Sequence, residues 1–221
     1  MSRDFPGSGT NLLNAANPAL FQIGGDITAC CWWHCDTVTS AAGRLLGKWS
    51  DVAGGNSYLL DISSSKARWF GNDGSTQFQI VGGTTLVNGR WYHHLGRKQG
   101  TGANSLQLFL NGILDGQMTQ GTNNQAGSAA LTIGNSAANA GPFDGRIAEA
   151  AVWNVALSNA EIAALAAGVS PAYFRRSNLV FYVPIYGAGA PEADLSGNRN
   201  NGALTGSAPG FNHAPVGVFE G

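Results

Sequence analysis

Apolar and polar residues alternate over short runs along this chain, and clusters of Gly, Asn, Asp and Ser interrupt the runs. Alternation with a period of two marks half-buried strands. Turn residues at regular intervals then predict many short antiparallel strands stacked as two sheets. The pattern predicts strands over 20–23, 27–36, 44–49, 58–62, 66–71 and 77–81. Further strands are predicted over 91–98, 106–110, 113–117, 130–134, 144–153 and 179–183. The sharpest local signal is Leu106-Gln107-Leu108-Phe109-Leu110, followed by Asn111-Gly112 and Ile113-Leu114. Asn-Gly supplies the two positive-φ positions of a type I′ turn, so a hairpin is expected there. A single helix is legible. Ser158-Asn159-Ala160-Glu161 is a capping box, Ile162, Leu165 and Ala166 form an apolar stripe behind it, and Gly168 is placed to end it.

No internal repeat is visible, and one domain accommodates the chain of 221 residues. The pattern divides it into an N-terminal arm over 1–19, a sandwich over 20–184 and a C-terminal extension over 185–221. That extension is rich in Gly, Ala and Pro and long for a segment without strand signal. It is expected to pack on the sandwich or on a neighbouring subunit.

Composition narrows the partners. Hydrophobic residues make up 43% of the chain, with six Trp and ten Phe, enough for a sizeable core. Charged residues are only 11%, so the surface is built of Ser, Thr, Asn, Gln and Gly, or is covered by a partner. A net charge of −1 with scattered Lys and Arg offers no basic stripe for nucleic acid or an anionic membrane. The first residues carry no apolar run behind Arg3, and no stretch approaches a membrane span. The chain is therefore expected to be made in a cytoplasm without a signal peptide.

Cysteine usage agrees. Cys30, Cys31 and Cys35 fall in one predicted strand. Cys31 and Cys35 share a face but would lie roughly 13 Å apart at about 3.3 Å per residue, too far for a disulfide. They are read as buried, reduced thiols. His93 and His94 are adjacent on a strand and so point oppositely, one into the core and the other outward. Retaining glycosidase chemistry needs two carboxyls about 5 Å apart. Glu149, Glu161, Glu192 and Glu220 show no such spacing, and no G-x-S-x-G is present. The chain is read as non-enzymatic and without a cofactor.

Several motifs, taken in order, carry a family resemblance. They are Ile27-Thr28-Ala29-Cys30-Cys31-Trp32-Trp33, Gly47-Lys48-Trp49 with Tyr58-Leu59-Leu60, and Gly89-Arg90-Trp91-Tyr92-His93-His94. Leu106 to Gly112, Leu131-Thr132-Ile133-Gly134, Phe143-Asp144-Gly145 and Val155 to Ile162 follow. Together they resemble a laminin-G-like, concanavalin-A-like jelly roll. The resemblance implies an all-β, antiparallel two-sheet sandwich with one short helix and extended termini. It also implies calcium as a possible ion, with Asp144 in F-D-G the candidate ligand. One departure concerns Asp194-Leu195-Ser196-Gly197-Asn198 with Asn200-Asn201-Gly202, a turn that precedes the first core strand in many relatives and here follows the last. The C-terminal tail would then complete the sheet edge, its own or a neighbour's. Proteins resembling this layout are commonly virion components of bacteriophages and prophages.

Two functions follow as expectations. In the first, the chain is a phage virion surface protein, a capsid decoration or tail-associated module, binding protein partners in a particle or a homo-oligomer. Its anchors would be Phe5, Leu12, Leu13, Phe211, Val218 and Phe219 in the terminal arms. In the second, it is a carbohydrate-binding adhesion module acting through its loop rim. Trp69 would stack on sugar, while Asn72 and Asp73 read hydroxyls. Trp49 and Phe70 also flank polar loops, and alternation puts Trp69 and Phe70 on opposite faces, so at least one of that pair belongs to the core.

Overall fold

The structure is a computed structural model that describes residues 2–16, 18–38, 43–186, 189–206 and 210–211. The strands of its first half are β1 (Ser2–Pro6), β2 (Leu12–Asn14), β3 (Ile27–Cys35), β4 (Gly43–Lys48), β5 (Tyr58–Ser63), β6 (Lys66–Asn72) and β7 (Gln77–Val81). Its second half holds β8 (Trp91–Lys98), β9 (Leu106–Leu110), β10 (Ile113–Met118), β11 (Leu131–Ile133) and β12 (Asp144–Trp153). Helix α1 (Asn159–Ala166), β13 (Leu179–Val183), β14 (Ala203–Thr205) and β15 (Gly210–Phe211) complete it. One sheet has eight strands in the order β10-β9-β8-β3-β12-β1-β15, with β13 also paired to β12. The other has seven, in the order β14-β2-β11-β4-β5-β6-β7. Every pairing is antiparallel, as a jelly-roll sandwich requires.

The local signals produce the elements expected of them. Asn111 and Gly112 adopt φ of 51° and 79°, and β9 and β10 pair across them. At α1 the Ser158 side chain accepts the Glu161 N–H, and Glu161 Oε2 accepts the Ser158 N–H at 2.7 Å. The helix lays Ile162 and Leu165 on the outer face of the eight-stranded sheet, against Leu95, Phe109 and Trp153. Between the sheets, Trp33 stacks on Tyr92 at 4.8 Å and meets Phe143 edge-on at 6.2 Å. The three cysteines are free and buried, and burial pushes the Cys35 thiol up to about 12.

Three expectations need correction. Residues 20–23 form no strand. Ala19–Phe21 is a single 3-10 turn in which the Gln22 N–H returns to the Ala19 carbonyl, so the segment satisfies its donors locally. Within the proposed arm over 1–19, the described segments Ser2–Pro6 and Leu12–Asn14 are strands of the sandwich. β1 pairs with β12, setting Phe5 opposite Gly145, and β2 lies between β11 and β14. Phe5 and Leu13 are 1% exposed and Leu12 5%, so these proposed anchors are consumed by the protein's own core. Neither Ser2–Pro6 nor Leu12–Asn14 alternates apolar with polar residues, and Gly- and Ser-rich residues separate the two strands. Finally, His93 and His94 do point to opposite faces, yet both are buried, and on the outer face Trp32 packs on His93 at 5.3 Å.

The C-terminal segment returns to both sheets: β14 is the outermost strand beside β2, and β15 pairs with β1. Asp194 organises that return, accepting the Tyr182 and Ser196 N–H groups on Oδ1 and the Asn200 N–H on Oδ2. Arg3 Nε donates to Glu192 Oε1 at 2.6 Å, tying β1 to the same segment. For Phe211 only the backbone pairing opposite Ser2 is described, and Val218 and Phe219 lie outside the described residues.

Candidate functional site

The seven-stranded sheet carries an open cleft of about 350 Å³ on its outer face, lined by Arg44, Trp49, Asp51, Ser63, Arg68, Phe70, Gln77 and Gln79. Strand register assembles it. Arg44 on β4 lies opposite Asp61 on β5, which lies opposite Arg68 on β6. One row along the strands, Gly47, Leu59, Phe70 and Gln79 stand side by side. On β7, Gln77 and Gln79 point outward while Phe78 and Ile80 point into the core.

A bulge puts Arg44 there. Counting back two residues from the inward-facing Leu46 would place Arg44 on the inner face. The β4–β5 register shifts between Arg44 and Leu46, and the extra residue, Leu45, is also buried in the core. The bulge therefore turns Arg44 to the outer face. Asp51 reaches the cleft by a different device. It adopts φ of 59°, and Asn56 Oδ1 accepts both the Ser50 and Asp51 N–H groups at 2.9 Å, folding the loop back over Trp49.

The charges form one network. Arg68 donates from Nε to Asp61 Oδ1 at 2.7 Å and from Nη2 to Oδ2 at 2.6 Å, while Arg44 Nη1 reaches Asp61 Oδ2 at 2.8 Å. Arg44 Nη2 also meets Asp51 Oδ1 at 3.0 Å, and Trp49 Nε1 donates to that same oxygen at 2.8 Å. Burial raises the pKa of the fully enclosed Asp61 carboxyl, and the two guanidiniums oppose the rise. Beneath the network, Trp49, Leu59 and Phe70 form a small apolar cluster separate from the main core. The Arg68 guanidinium lies over the Phe70 ring at 4.8 Å.

The rim residues chosen from the sequence divide. Trp69 is fully buried between the sheets, and a Cβ on Gly96 of the facing sheet would overlap its ring, so Trp69 is core and not a sugar platform. Its neighbour Phe70 takes the outer face. Asn72 and Asp73 do sit at the loop rim, but both brace turns. Asn72 Oδ1 accepts from Gly74 N and Gln125 Nε2. Asp73 accepts from Thr76 N, Thr122 Oγ1 and Ser75 N, which hold its carboxyl below the usual range. At Asp144 no ligand set gathers: among the described residues no group of three or more His, Cys, Asp or Glu is arranged to hold a metal.

Two other concavities are less suited to a ligand. The crevice beside α1, lined by Cys30, Trp32, His93 and Glu149, has no room for a water-sized group. A wider opening of about 690 Å³ between 14–18 and 199–205 is lined by Asn14, Arg199, Asn200 and Asn201 among others. There, Asn14 Oδ1 caps the Ala16 N–H at 2.7 Å and Asn201 Oδ1 takes the Asp194 N–H at 3.0 Å, so both amides are occupied in turns.

A match to the family model of the concanavalin A-like lectin/glucanases superfamily extends over residues 7–163. The chain belongs to this superfamily. Its fold is similar to that of a putative carbohydrate binding protein from Bacteroides ovatus, with a TM-score of 0.73 at 18% identity. That alignment covers 98% of this chain and 61% of the other, so the chain spans less than two thirds of that protein. It is also similar to the Ruminococcus gnavus IT-sialidase CBM40 bound to α2,3-sialyllactose, with a TM-score of 0.62 at 16% identity, covering 75% of this chain and 97% of that one. A third similar structure is the heptameric SAP-like pentraxin from Limulus polyphemus, with a TM-score of 0.60 at 16% identity and coverage of 77% and 83%. These identities speak to fold alone. Among curated proteins, none matches this chain.

Sequence reasoning passed over Arg44, Asp61, Arg68, Gln77 and Gln79. A partial signal was available. Asp61 interrupts the apolar run of β5, and Arg68, Phe70, Gln77 and Gln79 fall at period two on adjacent strands.

Proposed function

We propose that this protein is a non-catalytic carbohydrate-binding module that engages glycans in the cleft on the outer face of its seven-stranded sheet. The observation that carries this reading is the cleft itself: amide, hydroxyl and guanidinium groups converge around an opening at the lower end of the size range of ligand pockets. Ser63, Gln77 and Gln79 make no side-chain hydrogen bond to the described residues, which leaves them for a hydroxyl-rich ligand. The likeness in fold to carbohydrate-binding proteins supports the same reading. Both carboxylates of the cleft are paired with guanidiniums, an arrangement suited to holding fixed charge and not to donating a proton. Docking on a virion through terminal arms has less to stand on, because Phe5, Leu12 and Leu13 lie in the core.

The test is a glycan-panel screen followed by calorimetry on the wild type and on a Gln77→Ala/Gln79→Ala double variant, each with and without EDTA. Saturable binding by the wild type that the double variant loses, at an unchanged melting temperature, is the expected result. Binding that persists undiminished in the double variant moves the site elsewhere, and no binding to any glycan overturns the reading.

A further inference from the structure

We infer that the cleft selects an uncharged sugar, held through a pair of neighbouring hydroxyl groups, and discriminates against sugars bearing a carboxylate. The inference rests on the glycan reading of this cleft and names its ligand class.

Charge balance comes first. Two guanidiniums, Arg44 and Arg68, face two carboxylates, Asp51 and Asp61, so the formal charge of the cleft sums to zero. Neither cation is spare. An incoming carboxylate gains a guanidinium only by displacing Asp61, which is fully enclosed between both arginines, or Asp51, which Trp49 Nε1 also holds. Displacement would strand a carboxylate that had been paired, an expensive exchange.

The groups left unengaged are mixed in kind. Arg68 Nη1 makes no hydrogen bond to the described residues, so it remains as a donor. Asp51 Oδ2 remains as an acceptor on a side chain that is 32% exposed. The Gln77 and Gln79 amides and the Ser63 hydroxyl each offer both roles. A hydroxyl donates and accepts at once, and two adjacent hydroxyls can answer a donor and an acceptor together. A carboxylate only accepts, and it would meet Asp51 Oδ2 as a like charge.

The aromatic rings set the approach. Trp49 is 2% exposed and Phe70 3%, with Arg68 across the Phe70 face, so no bare ring is offered for stacking. The sugar must enter edge-on, hydroxyls first. That geometry makes hydrogen-bond polarity the main basis of selection.

Calorimetry with matched pairs tests this: lactose against α2,3-sialyllactose, and further neutral oligosaccharides against their uronic acid counterparts. The neutral member should bind the wild type about tenfold more tightly, the worth of one hydrogen bond to a charged group. Asp51→Asn is the informative variant. Asn tolerates the positive φ, and its Oδ1 can still accept from Trp49 and Arg44, which turns an NH₂ toward the ligand in place of Oδ2. Neutral sugars should then bind about tenfold more weakly, and the preference for them over acidic sugars should vanish or reverse. Gln79→Glu adds a carboxylate to the cleft lining and should weaken the acidic members more than the neutral ones. Tighter wild-type binding of the acidic members, or an Asp51→Asn variant with unchanged selectivity, overturns the inference while leaving the glycan reading intact. A wild type that binds neither member of any pair overturns both.

Discussion

Over the eight-stranded sheet, α1 presses Ile162 and Leu165 onto Leu95, Phe109 and Trp153, and all five are buried. Over the seven-stranded sheet, Leu59 and Phe70 are buried almost as completely, yet what packs on them is Trp49 and, across the Phe70 ring, the Arg68 guanidinium. The first cover is a secondary element held by apolar contact. The second is a layer of side chains held by ion pairs, and its outer surface is polar. A sandwich has two outer faces to protect from water, and protecting one with charged side chains leaves that face able to recognise a polar ligand. The difference also separates stability from recognition, and that separation can be tested.

The largest effect should come from the helix-covered face. Trp153→Ala removes a fully buried indole whose Nε1 donates to the Phe174 carbonyl at 2.9 Å, and should cost about 4 kcal/mol in urea unfolding. Glycan affinity of the folded fraction should stay as it was; a parallel loss of affinity would join the two faces after all.

Acid should act next, through two histidines that do not line the cleft. Burial lowers the pKa of His93 and His94 to about 3, against about 6.5 in an unfolded chain. Both stay neutral in the folded protein while the unfolded chain takes up protons below pH 6.5. Stability should therefore be independent of these groups above pH 6.5 and decline as pH falls from there toward 3. At pH 5.5 the two together should cost about 3 kcal/mol relative to pH 7.5. Equal unfolding free energies at the two pH values would refute the neutral, buried assignment.

Asp61→Asn should have a smaller effect on stability, about 2 kcal/mol, because the arginines it releases are partly open to solvent. Its effect on binding should be larger than on folding, since Arg44 and Arg68 lose the anchor that orients them. If affinity survives while stability drops, the network belongs with the structural cover and not with the site.

Much of the fold was legible where the information is local. The Asn111-Gly112 turn and the Ser158–Glu161 box each need only a few consecutive residues, and each forms as its sequence demands. β1 and β2 were illegible for the opposite reason. Their partners β12 and β11 lie more than a hundred residues away, and a run as short as Leu12–Asn14 has no strand signal of its own. Trp69 and Phe70 show the limit of alternation, which separates their faces without saying which is inner. Gly96, on the opposite sheet, makes room for Trp69 and so settles the question. Arg44 was beyond reach because a bulge at Leu45 reverses the count on its strand.

By itself, the sequence determined the all-β class, most of the strands, the one hairpin turn, the one capped helix and the reduced state of the cysteines. All of these follow from spacing within a few residues, where steric preference and hydrogen-bond geometry act without help from the rest of the chain. Tertiary structure decided that the N-terminal residues are core strands, that the C-terminal segment closes both sheets, and that Arg44, Asp51, Asp61, Arg68 and the two glutamines share one cleft. Those outcomes depend on register between strands distant in sequence. Register is set by the summed packing of two sheets, and no local pattern carries it.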